Sequence, residues 1–315
     1  MTSLGVFGTD HLHIVEIVQQ LSAAGARVAA IGATEEAIGP WLASRYPDAQ
    51  PARSLDDVLA AGVDLVATAA VPVDRASIAV AAMQGGADVV ADKPGATTYE
   101  QIEALRDACS ATGKRYTVVF SERLSSPAMA YAQELVESGR LGRIVHTVGL
   151  GPHTLSLDRR PDWFFDPARY GGILVDIGSH QVDQFLAFTG SRDADVVAAS
   201  IRGHEQHEGV EVLGEMMLRS ASATGYARVD YFTPAGLGAW GDVRFTVVGT
   251  DGYLEVRHVA QEVIVVDGER TETVACADRP VTWAARLLAG GLMDQDHVFT
   301  VTRICLDAQR RARHP

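Results

Sequence analysis

Lysine is nearly missing from this chain: Lys93 and Lys114 are the only two, and arginine carries the rest of the positive charge. Cysteine is scarce too. Cys109, Cys276 and Cys305 are odd in number, far apart and without a Cys-x-x-Cys pair. That excludes a disulfide framework and suits reduced thiols in a cytoplasm. No apolar run approaches the ~20 residues of a membrane span. The opening Met-Thr-Ser-Leu-Gly has no charged n-region and no cleavage site, so nothing is expected to direct export. Positive charge is short overall. A net charge of −13 argues against nucleic acid or an anionic membrane as the main partner. There is no internal repeat and no low-complexity segment.

What is present is enough for two domains, with 315 residues of which 47% are hydrophobic. Short apolar strands are expected at 4–8, 27–32, 64–69, 87–91 and 115–120, with helices near 11–24, 35–45, 73–84 and 98–112. Non-alternating strands separated by helices indicate a parallel sheet covered on both faces, a doubly wound Rossmann-type domain over 1–121. Beyond it the pattern changes. A helix near 126–138 is followed by strand-like runs at 144–150, 194–201, 210–218, 225–232, 242–248, 253–258 and 262–266, several of them alternating. Residues 122–315 therefore read as an α+β domain with an open antiparallel sheet whose wet face could serve as an oligomer interface. A helix over 172–190 lies between the first two of these strands, and another near 294–311 closes the chain.

Three residues carry the chemistry. Asp176 and His180 are four apart on what reads as one helix, a spacing that places both on the same face and lets the carboxylate orient a proton-transferring imidazole. Lys93 ends an apolar run and precedes Pro94; an ammonium can touch one hydroxyl where a guanidinium is a broad fork. Together they suggest oxidation or reduction of an alcohol carbon. The segment Gly5-Val6-Phe7-Gly8-Thr9-Asp10-His11-Leu12-His13 occupies the place of a dinucleotide loop, but Asp10 and His13 stand where Gly-x-Gly-x-x-Gly has its second and third glycines. Asp10 is also a good helix N-cap, which is its plain structural role. No acid stands directly at the end of the second strand, where Ala33 and Thr34 precede Glu35 and Glu36.

With these residues in view, the chain resembles the glucose–fructose oxidoreductase / myo-inositol dehydrogenase family (Gfo/Idh/MocA) over nearly its full length. The resemblance rests on Asp92-Lys93-Pro94, on Pro161-Asp162-Trp163-Phe164-Phe165-Asp166 and, most specifically, on the run from Gly171 to Asp183. It implies NAD or NADP as cofactor, a sugar, cyclitol or polyol substrate, and a homodimer or homotetramer formed through the C-terminal sheet. It also implies that Lys93 contacts the reacting hydroxyl and the nicotinamide ribose, that His180 is the acid/base, and that Asp176 positions substrate and histidine. Gly8, Thr9, Asp10, His11, Pro72, Lys93 and Pro94 are then the expected cofactor contacts, with His153 and Trp163 beside the substrate. The segment Val71-Pro72-Val73-Asp74-Arg75-Ala76 keeps the proline of the family's Thr-Pro-Asn-x-x-His and loses its asparagine and histidine.

Bland alternatives stand beside these readings. Asp176 and His180 could be a solvated helix pair, Lys93 a solvated strand end, and His153 a loop histidine without a role. Trp163, Phe164 and Phe165 are most simply packing anchors. Arg159 and Arg160 suit an acidic substrate or merely solvate a loop, and His204-Glu205-Gln206-His207-Glu208 reads as a polar loop. Two rival classes remain: a ligand sensor that has lost its cofactor grip, motivated by Asp10, and a metal-dependent hydrolase using His11-Leu12-His13. The oxidoreductase reading expects no metal.

Overall fold

The computed structural model describes residues 1–32 and 38–314, and packs the chain into two compact units. Unit 1 comprises Met1–Val119, Ala168–Gly171 and Thr282–Thr302; unit 2 comprises Phe120–Pro167, Gly172–Val281 and Arg303–Pro315. The expected place of a ribose-binding acid, Ala33, Thr34, Glu35 and Glu36, lies outside the described residues.

Unit 1 holds a six-stranded parallel sheet: β1 (Ser3–Phe7), β2 (Arg27–Gly32), β3 (Gln50–Ala52), β4 (Leu65–Thr68), β5 (Asp88–Asp92) and β6 (Tyr116–Val119). Their order is β3-β2-β1-β4-β5-β6. Leu4, Val6, Val66, Ala67, Val90 and Ala91 are completely buried because helices cover both faces, which is why these strands do not alternate. Local signals start and stop the helices. Pro72 opens helix Pro72–Gln84, where its missing N–H costs nothing. The Thr98 side chain caps helix Tyr99–Thr112, which ends at left-handed Gly113. The distant segment Thr282–Thr302 completes this unit: the Gln295 side chain bonds both the N–H and the carbonyl of Tyr116, Phe299 stacks on the Tyr116 ring, and Thr302 lies against Gly95.

Unit 2 holds an eight-stranded sheet: β7 (Ile144–Pro152), β8 (Asp195–Gly203), β9 (Glu211–Arg219), β10 (Thr224–Asp230), β11 (Arg244–Gly249), β12 (Gly252–Arg257), β13 (Glu262–Asp267) and β14 (Thr271–Ala275). The order is β14-β13-β12-β11-β7-β10-β9-β8. It is mostly antiparallel, but β7 and β10 pair in parallel at its centre, so the sheet is mixed where an antiparallel one was expected. Helices Pro127–Glu137 and Gly178–Thr189 pack on one face. Met129, Phe188, Phe245, Leu254 and Val263 fill the core there. On the other face Met217 and Tyr253 remain exposed.

The helix expected over 172–190 is two: Ile173–Asp176 and Gly178–Thr189. Ile177 keeps right-handed helical dihedrals, so the chain goes on winding while its ladder is interrupted. The His180 N–H bonds back three residues to the Ile177 carbonyl rather than four. Gly178, a weak helix former, sits at the break.

Candidate active site

In unit 1 the candidate residues gather at the carboxyl edge of the parallel sheet, where doubly wound sheets take their ligands. Gly8 follows β1 with φ +79°, and a Cβ there would stand 2.6 Å from the Ala70 Cβ. Only glycine allows the loop to run this close to the end of β4, at the point where strand order reverses between β1 and β4. Thr9 is fully buried and Asp10 is half-buried. Helix His13–Ala23 takes Leu12, not Asp10, as its N-cap residue. The regular helix therefore starts two residues later than an Asp10 cap requires, after a tighter turn in which the Ile14 N–H bonds the His11 carbonyl.

Asp92 organises this edge. It is 1% exposed and receives His11 Nδ1 at 3.1 Å, His13 Nδ1 at 2.9 Å and the Arg75 guanidinium at 3.1 Å. Burial opposes its charge, but His13, Arg75 and the two histidine hydrogen bonds together hold its carboxyl well below the usual range. Burial, reinforced by His13, pushes His11 down to about 4 despite Asp92, so His11 is neutral near neutral pH. Arg75, 1% exposed, donates to the carbonyls of Ala70, Asp92 and Lys93. Lys93 follows β5 directly and is 5% exposed, which removes the solvated strand end as its explanation. Pro72 and Pro94 are buried nearby in the chain, at the start of helix Pro72–Gln84 and after Lys93.

In unit 2, His180 is 2% exposed in the first turn of helix Gly178–Thr189, and Asp176 is half-buried at the end of the preceding helix. A Cβ on Gly149 or Gly225 would overlap Gln181 or the Phe185 ring, so glycines on β7 and β10 let the histidine's helix lie close on the sheet. Buried polar groups fix it further. Gln181 and Gln184 both donate to Glu122, and Arg123 grips Asp183 through Nε at 2.6 Å and Nη2 at 2.7 Å. His153 follows β7, bonds the Gly151 carbonyl through Nδ1 and packs on Trp240 with centroids 4.5 Å apart. Trp163 is 8% exposed and meets Phe164 edge-on. Arg160 lies over the rings of Phe164 and Tyr231 and donates to the carbonyls of Leu155 and Thr154, so it is a loop clamp; Arg159 is exposed. His204 to Glu208 form the polar loop expected of them.

Asp92, Arg75, Glu122 and Asp183 had no assigned role in the sequence. Asp92 stood beside Lys93 in a recognised segment, which was the one available signal.

Two family models match the chain. The oxidoreductase family with an NAD-binding Rossmann fold covers residues 4–120, and the GFO/IDH/MocA C-terminal domain covers 129–255. A solved structure from Erwinia carotovora atroseptica SCRI1043 is 35% identical, with 99% of each chain covered and a TM-score of 0.95. The chain belongs to the Gfo/Idh/MocA family. Within that family, levoglucosan dehydrogenase of Pseudarthrobacter phenanthrenivorans (strain DSM 18606 / JCM 16027 / LMG 23796 / Sphe3) is 28% identical over 215 residues, 61% of this chain and 55% of that protein. The chain spans about half the length of the first curated relatives it matches, 45%, 56% and 55%. A levoglucosan dehydrogenase structure in complex with NADH shares the fold, with a TM-score of 0.86 at 19% identity over 99% of this chain and 97% of that one.

The Gfo/Idh/MocA cofactor is a nicotinamide dinucleotide, and the residues present fit it in one respect that can be checked. Gly8 supplies the space beside β4 that any side chain would fill. Asp10 and His13 depart from the glycine pattern, yet the His13 side chain turns to Asp92.

Proposed function

We propose that this protein is an NAD(P)-dependent oxidoreductase acting on a CH–OH group of a sugar, cyclitol or related polyol. The observation that carries the reading is a buried ammonium, Lys93, fixed at the carboxyl edge of a dinucleotide-type sheet beside an Arg75-held turn. The names of the relatives, levoglucosan dehydrogenase and inositol 2-dehydrogenase, support a polyhydroxylated substrate.

Gly8, Thr9, Asp10 and His11 supply the cofactor loop, with Pro72, Lys93 and Pro94 along its other side. When bound, the nicotinamide supplies the hydride acceptor or donor. Lys93 hydrogen-bonds the reacting hydroxyl oxygen and stabilises its negative charge as it develops. His180 takes the hydroxyl proton in oxidation and returns it in reduction, while Asp176 orients substrate and imidazole. His153 and Trp163 flank the sugar. A second copy of the chain covers the open sheet face, to which exposed Met217 and Tyr253 belong, giving a homodimer or homotetramer. The three free cysteines support a cytoplasmic setting. Among the described residues no helix is long and apolar enough to cross a membrane.

The test is reduction of NAD⁺ and NADP⁺ against a panel of sugars and polyols. His180→Ala should lower kcat by about 10²–10⁴-fold while NADH fluorescence still reports binding. Binding with no turnover anywhere on the panel would favour a sensor, and neither binding nor turnover would defeat the reading.

A further inference from the structure

His11 and His13 meet Asp92 from 79 to 81 positions away in the chain, and their rings stand edge to face at 4.2 Å. One donor atom from each of the three residues lies within 4.8 Å of the other two. Among the described residues this is the one group of three histidine, cysteine or acidic side chains so placed. We propose that His11, His13 and Asp92 form a binding site for a divalent transition-metal ion of the zinc type.

The donor set decides the ion class. Two imidazoles and one carboxylate are a nitrogen-rich, borderline set that suits Zn²⁺ or its neighbours, whereas Mg²⁺ and Ca²⁺ take oxygen. Spacing agrees. Bonds of about 2.0–2.2 Å in a tetrahedral site set neighbouring donor atoms roughly 3.3 Å apart. The His11 and His13 Nδ1 atoms stand 3.1 and 2.9 Å from different oxygens of Asp92, Oδ2 and Oδ1, and one donor atom from each residue lies within 4.8 Å of the others, so an ion enters as the rings turn and exchange their contacts with the carboxylate for bonds to the metal. Exposure agrees too. Asp92 is a buried anchor at 1% and the His11 Nδ1 atom is buried beside it, while the His13 side chain, 34% exposed, forms the solvent edge of the cluster.

Arg75 acts on this site from behind. Its guanidinium fixes the Asp92 carboxylate, as outer hydrogen-bond partners of metal ligands commonly do. Its charge and that of Lys93 also repel a cation, so the ion is held reversibly and a chelator removes it. Three protein ligands leave a fourth position open for water or a small oxygen or nitrogen ligand. The sequence already contained the His-x-His spacing, but nothing in it joined that pair to Asp92.

The experiment uses the intact protein, stripped with chelator and titrated with Zn²⁺ alone by calorimetry at about pH 7.5, with Co²⁺ absorption as a spectroscopic report of ligand geometry. One equivalent should bind. Affinity should fall at least tenfold in His11→Ala and in His13→Ala. It should persist in the His204→Ala/His207→Ala double variant, which removes a pair of imidazoles with ring centroids 4.7 Å apart. Circular dichroism melts check that each variant folds. If an alanine variant does not fold, the wild-type Co²⁺ spectrum decides: low-coordinate bands support the site, and a spectrum of hydrated Co²⁺ overturns it. Absence of saturable binding, or binding that survives His11→Ala and His13→Ala and disappears in the His204→Ala/His207→Ala variant, overturns it as well. No nucleotide enters this titration, so its failure leaves the oxidoreductase reading and its NADH test untouched.

Discussion

Arg75 carries a full charge with 1% of its side chain exposed, a state proteins tolerate only when the N–H groups find acceptors. It finds them in the carbonyls of Ala70, Asp92 and Lys93 and in the Asp92 carboxylate. Arg75→Met should therefore strand Asp92 in the interior and cost about 3–5 kcal/mol in urea unfolding. Arg75→Lys should recover only part of that, because one ammonium cannot span the same acceptors. A loss below about 1 kcal/mol for the methionine variant would mean that the cluster reorganises around water. Lys93 was legible in the sequence because lysine is so rare here. Arg75 was not: it lies in an ordinary helical first turn, and its partners arrive some 17 residues later through a strand and a turn that no local pattern connects to it.

At the scale of elements, β10 and helix Gly178–Thr189 approach closely because Gly225 has no side chain. A Cβ there would stand 2.6 Å from the Phe185 ring. Gly225→Val should overpack this contact and destabilise by about 1–3 kcal/mol in a thermal melt. It should also move His180, which shares the helix, and so lower kcat more than substrate affinity. An unchanged Tm would show that the ring swings aside. The buried strands of the first sheet were readable as continuous apolar runs. β3 was not, since Gln50-Pro51-Ala52 is three residues long and mostly exposed, nor was β14, a polar edge strand. The parallel pairing of β7 with β10 was beyond reach as well, because register between strands some 80 positions apart leaves no trace in either strand's own periodicity. The break at Ile177 was hidden for a different reason: the apolar spacing runs straight through it, and only the hydrogen-bond ladder changes.

For the whole molecule, acid stability offers a test away from the candidate site. Burial holds the His258 imidazole below its ordinary value of 6.5, with its ring against Trp240. The unfolded chain therefore binds this proton more readily than the folded protein does. The contribution to stability is complete above 6.5 and is lost as pH falls through the folded-state value. His258→Phe should flatten the decline in Tm between about pH 7 and pH 5. Identical slopes in melts of the two proteins would exclude His258 as a contributor. The family and the two-part architecture were readable from the chain. The way distant segments complete unit 1 was not, because it depends on Gln295, Phe299 and Thr302 meeting Tyr116 and Gly95.

That last arrangement bears on biosynthesis. Ribosomes release a chain from its amino end, and early segments ordinarily fold while later ones are still being made. Here the six strands of the first-made unit emerge long before the stretch from Thr282 to Thr302 that finishes it. Until residues 282–302 have been made, the nascent protein shows water an apolar seam around Tyr116 and Gly95, so a chain cut short before them damages the part that was translated first.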